Sequence, residues 1–379
     1  MILTNGNVLC DDFVFRKYDI KIEDGRIVEL DKNLIDSEMI DCCNNLILPG
    51  FIDTHMHGAA GTRVGTDTEA LYEITRFEAT QGVTSVALAT EVSLLDEILM
   101  QIETIVKASK RIEGTKIVAI NAEGPFLNEN KKGAMKAEHI LLPDREKFNE
   151  MMKKSEGLLK IMTVAPELNG VIEFIQYAVS KGVTISLGHT DAEFDISQKA
   201  FDAGATHTTH TFNAMRALNH REPGVLGAAL INKNVTCEMI CDFVHLHPVI
   251  VELIYRTKGA DNVNIISDSG NAAGIGISEF EVDGVKRYVK DGVVRLEDGT
   301  IAGSACSIFN GIKNLIKLGI PIEEISKMAS YNPAKTLKLE NEIGSIAVGK
   351  YADLVVLDNT YNIIYTFVNG KCVYKCMEI

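Results

Sequence analysis

Apolar, β-branched runs alternate with amphipathic stretches through most of the chain. From residue 51 onward each run spans about seven residues and each amphipathic stretch about ten to fifteen. This alternation is typical of parallel strands connected by helices. The runs predict eight strands, at 51–57, 83–90, 116–123, 159–166, 183–190, 205–211, 235–245 and 263–268. The helices predicted between them include 68–81, 94–110, 171–181 and 248–258.

Eight strands with interposed helices, within about 290 residues, favour a closed barrel. An open doubly wound sheet usually has about five to seven strands. We therefore predict an α/β protein with a (β/α)8 TIM barrel over 51–343. A β excursion is predicted at 280–300, where Asp283-Gly284 and Asp298-Gly299 are turn signals.

The two ends of the chain resemble each other and differ from the middle. Both contain short strand-like runs with the turn signals Asn5-Gly6, Asp24-Gly25 and Asn369-Gly370. The simplest arrangement is a small β-sandwich domain built from both chain termini, 1–50 and 344–379, with the barrel inserted between them.

Composition excludes several classes of function. The chain has 379 residues, 46% hydrophobic and 24% charged, which is ordinary for a globular protein. Its net charge of −14 argues against a general nucleic-acid or membrane-surface binder, because polyanions would be repelled. No apolar run is long enough to span a membrane and no secretion signal is recognisable, so we expect a cytoplasmic protein. The eight cysteines show no metal-ribbon spacing and are expected to be reduced thiols.

The pair His55 and His57 is the strongest single chemical signal. Residues i and i+2 of a strand point to the same side, so both imidazoles can reach one cation. Such a pair alone fits a metal site or two packed histidines equally well. The other candidates end further predicted strands, where barrel enzymes assemble their sites. These are Glu123, His189, His210 and Asp268. Burying so many polar groups without partners is costly, which favours a metal site.

These residues also carry a family resemblance that spans nearly the whole chain. The sequence resembles the amidohydrolase superfamily and, within it, the N-acetylglucosamine-6-phosphate deacetylases. The matching motifs are PGFIDTHMHG (49–58), NAEGPFLN (121–128), SLGHT (186–190), THTFNAM (209–215), REPGVLGA (221–228), D-x-x-H (242–245), SDS (267–269) and IAGSA (301–305).

The resemblance implies a divalent metal centre. In that family the residues corresponding to Glu123, His189 and His210 hold one ion. His55 and His57 add a second in members that keep the pair, with Glu123 as the bridge. Other branches of the superfamily, such as the dihydroorotase-like one, use a carboxylated lysine at the end of strand four. The fourth predicted strand of this chain has no lysine at its end, which excludes that type of metal site. The metal is zinc, iron, manganese or cobalt, and donor types alone do not decide among them.

The resemblance also implies a reaction, the removal of the N-acetyl group of N-acetylglucosamine 6-phosphate. Asp268, at the metal site, is the expected general acid/base. His245 is expected to polarise the acetamide carbonyl, while His247 is expected only to start a helix. Arg221 suits the phosphate, although a surface ion pair is its other interpretation. Asn213 and Ala214 are expected to add hydrogen bonds to the same phosphate.

Several alternatives stay open at this stage. The substrate can be the N-acetylgalactosamine epimer, or a base or cyclic amide if Arg221 has no phosphate role. A barrel that binds sugar phosphate without catalysis is a third possibility. His220 can assist the phosphate or lie idle at the surface, and 269–276 can be a lid or an ordinary loop. Family members usually form homodimers, so a homodimer with a small-molecule partner is expected, without nucleic acid or membrane.

Overall fold

The protein combines a parallel barrel with a smaller β unit, described over residues 1–282 and 284–376 by a computed structural model. The strands, in chain order, are β1 (Ile2–Leu9), β2 (Phe15–Glu23), β3 (Arg26–Asp31), β4 (Met39–Asp41), β5 (Leu46–Pro49), β6 (Phe51–Met56), β7 (Gly58–Ala59), β8 (Thr62–Arg63), β9 (Val83–Thr90), β10 (Lys116–Glu123), β11 (Leu159–Val164), β12 (Thr184–Leu187), β13 (His207–Thr208), β14 (Thr236–Ile240), β15 (Val263–Ile266), β16 (Glu279–Val282), β17 (Val285–Lys290), β18 (Val293–Arg295), β19 (Ile301–Ser304), β20 (Leu354–Leu357), β21 (Ile363–Val368) and β22 (Lys371–Lys375).

The α-helices lie mainly between the barrel strands. They are α1 (Thr68–Thr80), α2 (Leu95–Ser109), α3 (Arg145–Lys154), α4 (Val171–Ser180), α5 (Phe194–Asp202), α6 (Gly224–Ile231), α7 (Pro248–Lys258), α8 (Ile308–Lys317), α9 (Ile322–Ser326) and α10 (Asn332–Thr336). One π-helical turn, Lys327–Tyr331, connects the last two. The four helices whose residue ranges were predicted from the sequence match α1, α2, α4 and α7 to within one residue at each end.

The barrel is confirmed. Strands β6 and β9 to β15 are hydrogen-bonded in chain order, each parallel to the next. The Asp268 N–H donates to the His55 carbonyl at 2.9 Å and joins the last strand to the first. Strands such as β9 are buried over their whole length, because helices cover the outside and side chains fill the inside. The carboxyl ends of all eight strands therefore surround one mouth.

The strand limits differ from the prediction where loops begin. β9 and β10 match 83–90 and 116–123, whereas the predicted strand 235–245 ends at Ile240. There the Asp242 carboxylate accepts the N–H groups of Val244 and His245 and turns the chain. The predicted strand 205–211 is reduced to β13, and the positive φ of His210 takes the backbone out of the strand conformation before residue 211.

Both chain ends contribute to one sheet, which confirms the small β domain. Its strand order is β22-β21-β20-β5-β1-β2-β3, with β4 paired to β1. Asp24-Gly25 and Asn369-Gly370 form the expected two-residue turns, with all four φ angles positive. The expected turn at Asn5-Gly6 is wrong: both residues lie inside β1, where the pairing shifts register as at a bulge.

Alternation along the terminal strands divides their side chains between two cores. Leu354 and Val356 pack into the core of the small domain, while Val355 and Leu357 pack into the barrel core. The core of the small domain contains buried side chains from strands near both ends of the sheet. The sheet therefore folds over itself, as in a β-sandwich. The buried Lys116–Asp353 ion pair ties this domain to the start of β10. The limits 1–50, 51–343 and 344–379 stay a prediction.

The excursion after the eighth barrel strand is an antiparallel sheet of β16 to β19. This confirms the expected β segment, although Asp283 of its first turn signal lies outside the described residues. Among residues 1–282 and 284–376, no helix is long and apolar enough to cross a membrane.

Candidate metal centre and active site

One donor group forms at the seam that closes the barrel. His55 lies on β6 and is completely buried, and His57 follows the strand directly. Their ring centroids are 5.2 Å apart. Asp268 Oδ1 lies 3.8 Å from His55 Nε2 and 3.5 Å from His57 Nε2. These three side chains therefore present one ligand atom each to a common point.

A second donor group is formed by Glu123, His189 and His210. Glu123 Oε1 lies 3.1 Å from His189 Nε2 and 3.0 Å from His210 Nε2. The two Nε2 atoms are themselves 3.1 Å apart. Ligand atoms about 2.0–2.2 Å from a zinc-like cation are separated by similar distances. The spacing of this group suits a cation in its centre.

Glu123 lies between the two groups. Its Oε1 is 3.5 Å from His55 Nε2, and its Oε2 is 3.3 Å from His57 Nε2. One carboxylate thus has an oxygen directed to each group. The six sequence candidates from five different strands are brought together at the carboxyl-terminal mouth.

The outer nitrogens of three of these histidines are occupied by acceptors. His189 Nδ1 donates to the Lys131 carbonyl at 2.7 Å, and His210 Nδ1 donates to the Asn213 carbonyl at 3.2 Å. His55 Nδ1 donates to Glu238 Oε2 at 3.1 Å. With its proton on Nδ1, each ring presents the Nε2 lone pair, which is the form that binds metal.

The electrostatics of the group reflect its concentrated charge. Burial disfavours the charged form of Glu123, but the four histidine rings around it, His189 and His210 foremost, outweigh burial and hold its pKa well below the usual range. Burial likewise opposes protonation of His55, yet Glu123 and Glu238 raise the pKa of that ring well above its usual value. The cluster therefore favours positive charge at its centre.

The loops that carry these ligands turn sharply. His189, His210 and Asp268 all have positive φ, at 47°, 31° and 49°. Such conformations cost energy in residues other than glycine and occur often at functional sites. Beside His189, Glu167 accepts from the Thr190 hydroxyl at 2.6 Å and from the Asp191 N–H at 2.7 Å. These bonds stabilise the turn.

His245 lies in the loop after β14 rather than at the end of the strand. Its Nδ1 donates to Asp242 Oδ2 at 2.6 Å, and the ring is 3% exposed. Burial opposes ionisation of Asp242, but the His245 contact and two backbone N–H groups lower its pKa. His245 Nε2 is buried and has no hydrogen-bond partner among residues 1–282 and 284–376. Asp242 therefore fixes the orientation of the His245 ring.

Arg221 is exposed, in the loop between β13 and α6. Its guanidinium contacts His220 Nε2 at 2.9 Å, and no ion pair to it is found in the described part of the chain. Asn213 and Ala214 serve the ligand loops through their carbonyls, which accept from His210 Nδ1 and from the Thr190 N–H. Their contact with a phosphate stays a prediction.

The residues present fit a divalent cation. The donors are imidazole nitrogens and carboxylates, a set that binds zinc, iron, manganese or cobalt. His55 Nε2 is fully buried and lacks a hydrogen-bond partner among the described residues. An imidazole nitrogen left in that state costs free energy unless a cation takes it up.

Sequence reasoning missed two buried or half-buried acids that support the ligands. Glu238 on β14 contacts His55, and Glu167 contacts the loop of His189. The one available signal for Glu238 is a charged residue inside the short strand TCEMI. Its partners depend on how the first and seventh strands face each other, which the local sequence does not specify.

The fold and this set of donors are those of a metal-dependent hydrolase of the amidohydrolase family. Residues 46–373 match the model of that family, described as the amidohydrolase family, and the chain belongs to it. The family implies a divalent metal.

The names of individual relatives specify a reaction and a substrate. An N-acetylglucosamine-6-phosphate deacetylase from Vibrio furnissii is 33% identical over 331 residues, covering 86% of this chain and 83% of that protein. An N-acetylgalactosamine-6-phosphate deacetylase from Escherichia coli O157:H7 is 29% identical, with 98% of each chain covered. The solved structure of an Asp-to-Ala mutant of the Mycobacterium smegmatis N-acetyl-D-glucosamine-6-phosphate deacetylase, in complex with N-acetyl-D-glucosamine-6-phosphate, has a TM-score of 0.90 and 29% identity, covering 99% of both chains.

Proposed function

We propose that this chain hydrolyses the N-acetyl group of N-acetylglucosamine 6-phosphate to glucosamine 6-phosphate and acetate. The observation that carries the proposal is Glu123 between two sets of metal-binding side chains at the barrel mouth. Relatives that match nearly the whole chain and are named for this reaction support it.

In this proposal two divalent ions bind per subunit. His189 and His210 would hold one together with Glu123, and His55 and His57 would hold the other together with Glu123 and Asp268. When bound, such ions lower the pKa of water and polarise a carbonyl oxygen.

Asp268 is the proposed general acid/base. Its carboxylate takes a proton from the attacking water as the water oxygen bonds to the acetamide carbon. It returns that proton to the sugar nitrogen as the C–N bond breaks, so the amine leaves neutral together with acetic acid. The acid then gives its proton to the released amine or to solvent, which leaves acetate. Asp268 Oδ1 lies within 4 Å of both His55 Nε2 and His57 Nε2, and this proximity to the proposed metal ligands supports the role.

His245 is the proposed donor to the acetamide oxygen. Asp242 accepts its Nδ1 proton and fixes the ring, and the buried Nε2 donates to the developing oxyanion when it is protonated. Arg221 is the proposed phosphate ligand, because an arginine fork without an acidic partner in the described chain suits a dianion. Asn213 and Ala214 are proposed to assist it.

A second candidate is the same reaction on N-acetylgalactosamine 6-phosphate, which differs by one epimeric carbon. The Escherichia coli O157:H7 relative is named for that substrate and covers this chain as fully as the others. This coverage is the reason to keep the second candidate. The homodimer and the cytoplasmic location predicted from the sequence remain predictions.

The test is an assay of acetate and free amine with the metal-loaded protein on both sugar phosphates. We expect turnover of N-acetylglucosamine 6-phosphate with a higher kcat/KM than for its epimer. A higher value for the epimer would favour the second candidate. Binding of both sugars without acetate would identify a non-catalytic barrel, and turnover of a cyclic amide alone would identify another branch of the family.

A further inference from the structure

A buried carboxylate outside the two donor groups contacts both of them. Glu238 on β14 is the one charged residue of its strand, and its side chain is 1% exposed. Its Oε2 lies 3.1 Å from His55 Nδ1 and 3.2 Å from the His210 nitrogen. A single oxygen therefore accepts from the ring of one proposed ligand and from the backbone of another.

The contact with His55 determines which ring nitrogen is free. With the Nδ1 proton donated to Glu238, the lone pair lies on Nε2, the atom that faces Glu123 and Asp268. Because Glu238 is fixed in the strand, the ring cannot rotate without losing this bond. A carboxylate behind an imidazole also strengthens the imidazole as a ligand.

The contact with His210 stabilises a turn that is otherwise unfavourable. His210 has a φ of 31°, and its N–H donates to Glu238 Oε2. The next residue, Thr211, donates its N–H to the Glu238 carbonyl at 3.0 Å. Glu238 thus holds two consecutive backbone groups of the loop that presents His210 Nε2 to Glu123.

We propose that Glu238 is a positioning residue that couples the two donor groups, setting the tautomer and orientation of His55 and the backbone of His210. The inference rests on the two-ion centre of the proposed function. Loss of Glu238 is expected to weaken the ion at His55 and His57 most, because the His55 ring depends on Glu238 alone for its Nδ1 partner among the contacts found.

The experiment titrates metal-free protein with Co²⁺ alone, following the cobalt absorption bands and the affinities by chelator competition. The variants are Glu238→Leu, which removes the acceptor, and Glu238→Gln, which keeps an acceptor oxygen and removes the charge. We expect the wild type to bind two Co²⁺ and the leucine variant to bind the second about 10- to 100-fold more weakly. The glutamine variant is expected to lie between them, with a shifted spectrum.

The matched control is Asp353→Asn, which alters another buried, paired carboxylate at the opposite end of the barrel. It is expected to bind both ions like the wild type. Wild-type affinities and spectra in both Glu238 variants would overturn the inference. If circular dichroism shows that the leucine variant is unfolded, an unchanged second affinity in the glutamine variant overturns it. A wild-type chain that binds fewer than two Co²⁺ would contradict the two-ion proposal itself.

Discussion

The Asp268 N–H donates to the His55 carbonyl at 2.9 Å, across the seam where the barrel closes. The proposed acid/base and the first histidine of the His-x-His pair are therefore held in fixed register by the backbone. Closure of the barrel and assembly of the site are one event, since neither residue has its neighbour until the first and last strands meet. This explains why ligands far apart in sequence can be placed within a few ångström.

Replacing Asp268 by Asn is expected to lower kcat by about 10²- to 10⁴-fold, because the amide cannot carry the proton. KM is expected to change little, since the phosphate contacts remain. Steady-state acetate release measures both. Asp291→Asn, the same change at an exposed turn, is the control and is expected to leave kcat unchanged. A kcat within threefold of the wild type would remove Asp268 from the mechanism.

Replacing His245 by Asn is expected to lower kcat by about 10²- to 10³-fold, since the donor to the developing oxyanion is lost. The neighbouring His247 gives a matched control: it caps α7 through its side chain, and Asn can do the same. His247→Asn is expected to keep full activity. Equal losses of kcat in the two variants would show that the loss comes from a disturbed loop rather than from the His245 ring.

Replacing Arg221 by Ala is expected to raise KM for the sugar phosphate about 10- to 100-fold, the loss expected for charge-assisted hydrogen bonds. The slower reaction of unphosphorylated N-acetylglucosamine should be unaffected, because that substrate lacks the dianion. Arg256→Ala on α7, another exposed arginine, is the control. An unchanged KM for the phosphorylated sugar would contradict the role and favour a substrate without phosphate.

His207 is expected to make stability depend on pH. Burial lowers its pKa to about 4, and both ring nitrogens are bonded to threonine hydroxyls, Thr206 and Thr336. The unfolded histidine titrates near 6.5, so it gains its proton first as the pH falls. Neutral His207 therefore contributes up to roughly 3 kcal/mol to the free energy of unfolding. This contribution is present above pH 6.5 and is lost as the pH falls from 6.5 to 4.

Urea unfolding of metal-free wild type and His207→Gln at pH 7.5 and 4.5 measures this effect. Glutamine can keep hydrogen bonds to the threonines but does not titrate. The wild type is expected to lose more stability on acidification than the variant. Parallel losses would show that His207 is protonated in the folded state.

The periodicity of the sequence predicts the barrel because strands buried on both faces need unbroken apolar runs. It predicts β9 and β10 to the residue, since both runs end in turn or polar residues. It overextends the seventh strand, because the turn after Ile240 is made by the Asp242 side chain rather than by glycine or proline. Asn5-Gly6 misleads for a related reason: a dipeptide that tolerates positive φ fits a bulge as well as a turn.

Most of the ligand residues could be predicted because each is polar near the end of an apolar run. His210 follows the polar run ATHTT and was indicated by the motif THTFNAM instead. Glu238 could not be predicted, since its function depends on a hydrogen bond between strands distant in sequence. The Asp242–His245 contact was signalled by the D-x-x-H spacing, but the buried, unpartnered Nε2 of His245 is visible only in three dimensions.

The most direct test of the central claim is an anomalous difference map from crystals of the protein loaded with a divalent metal. Two peaks are predicted about 3.5–4 Å apart, the separation usual for two-metal sites. One should lie against His189 and His210 and the other against His55 and His57, with Glu123 contacting both. An active protein whose map shows no peak at these donors would contradict the account.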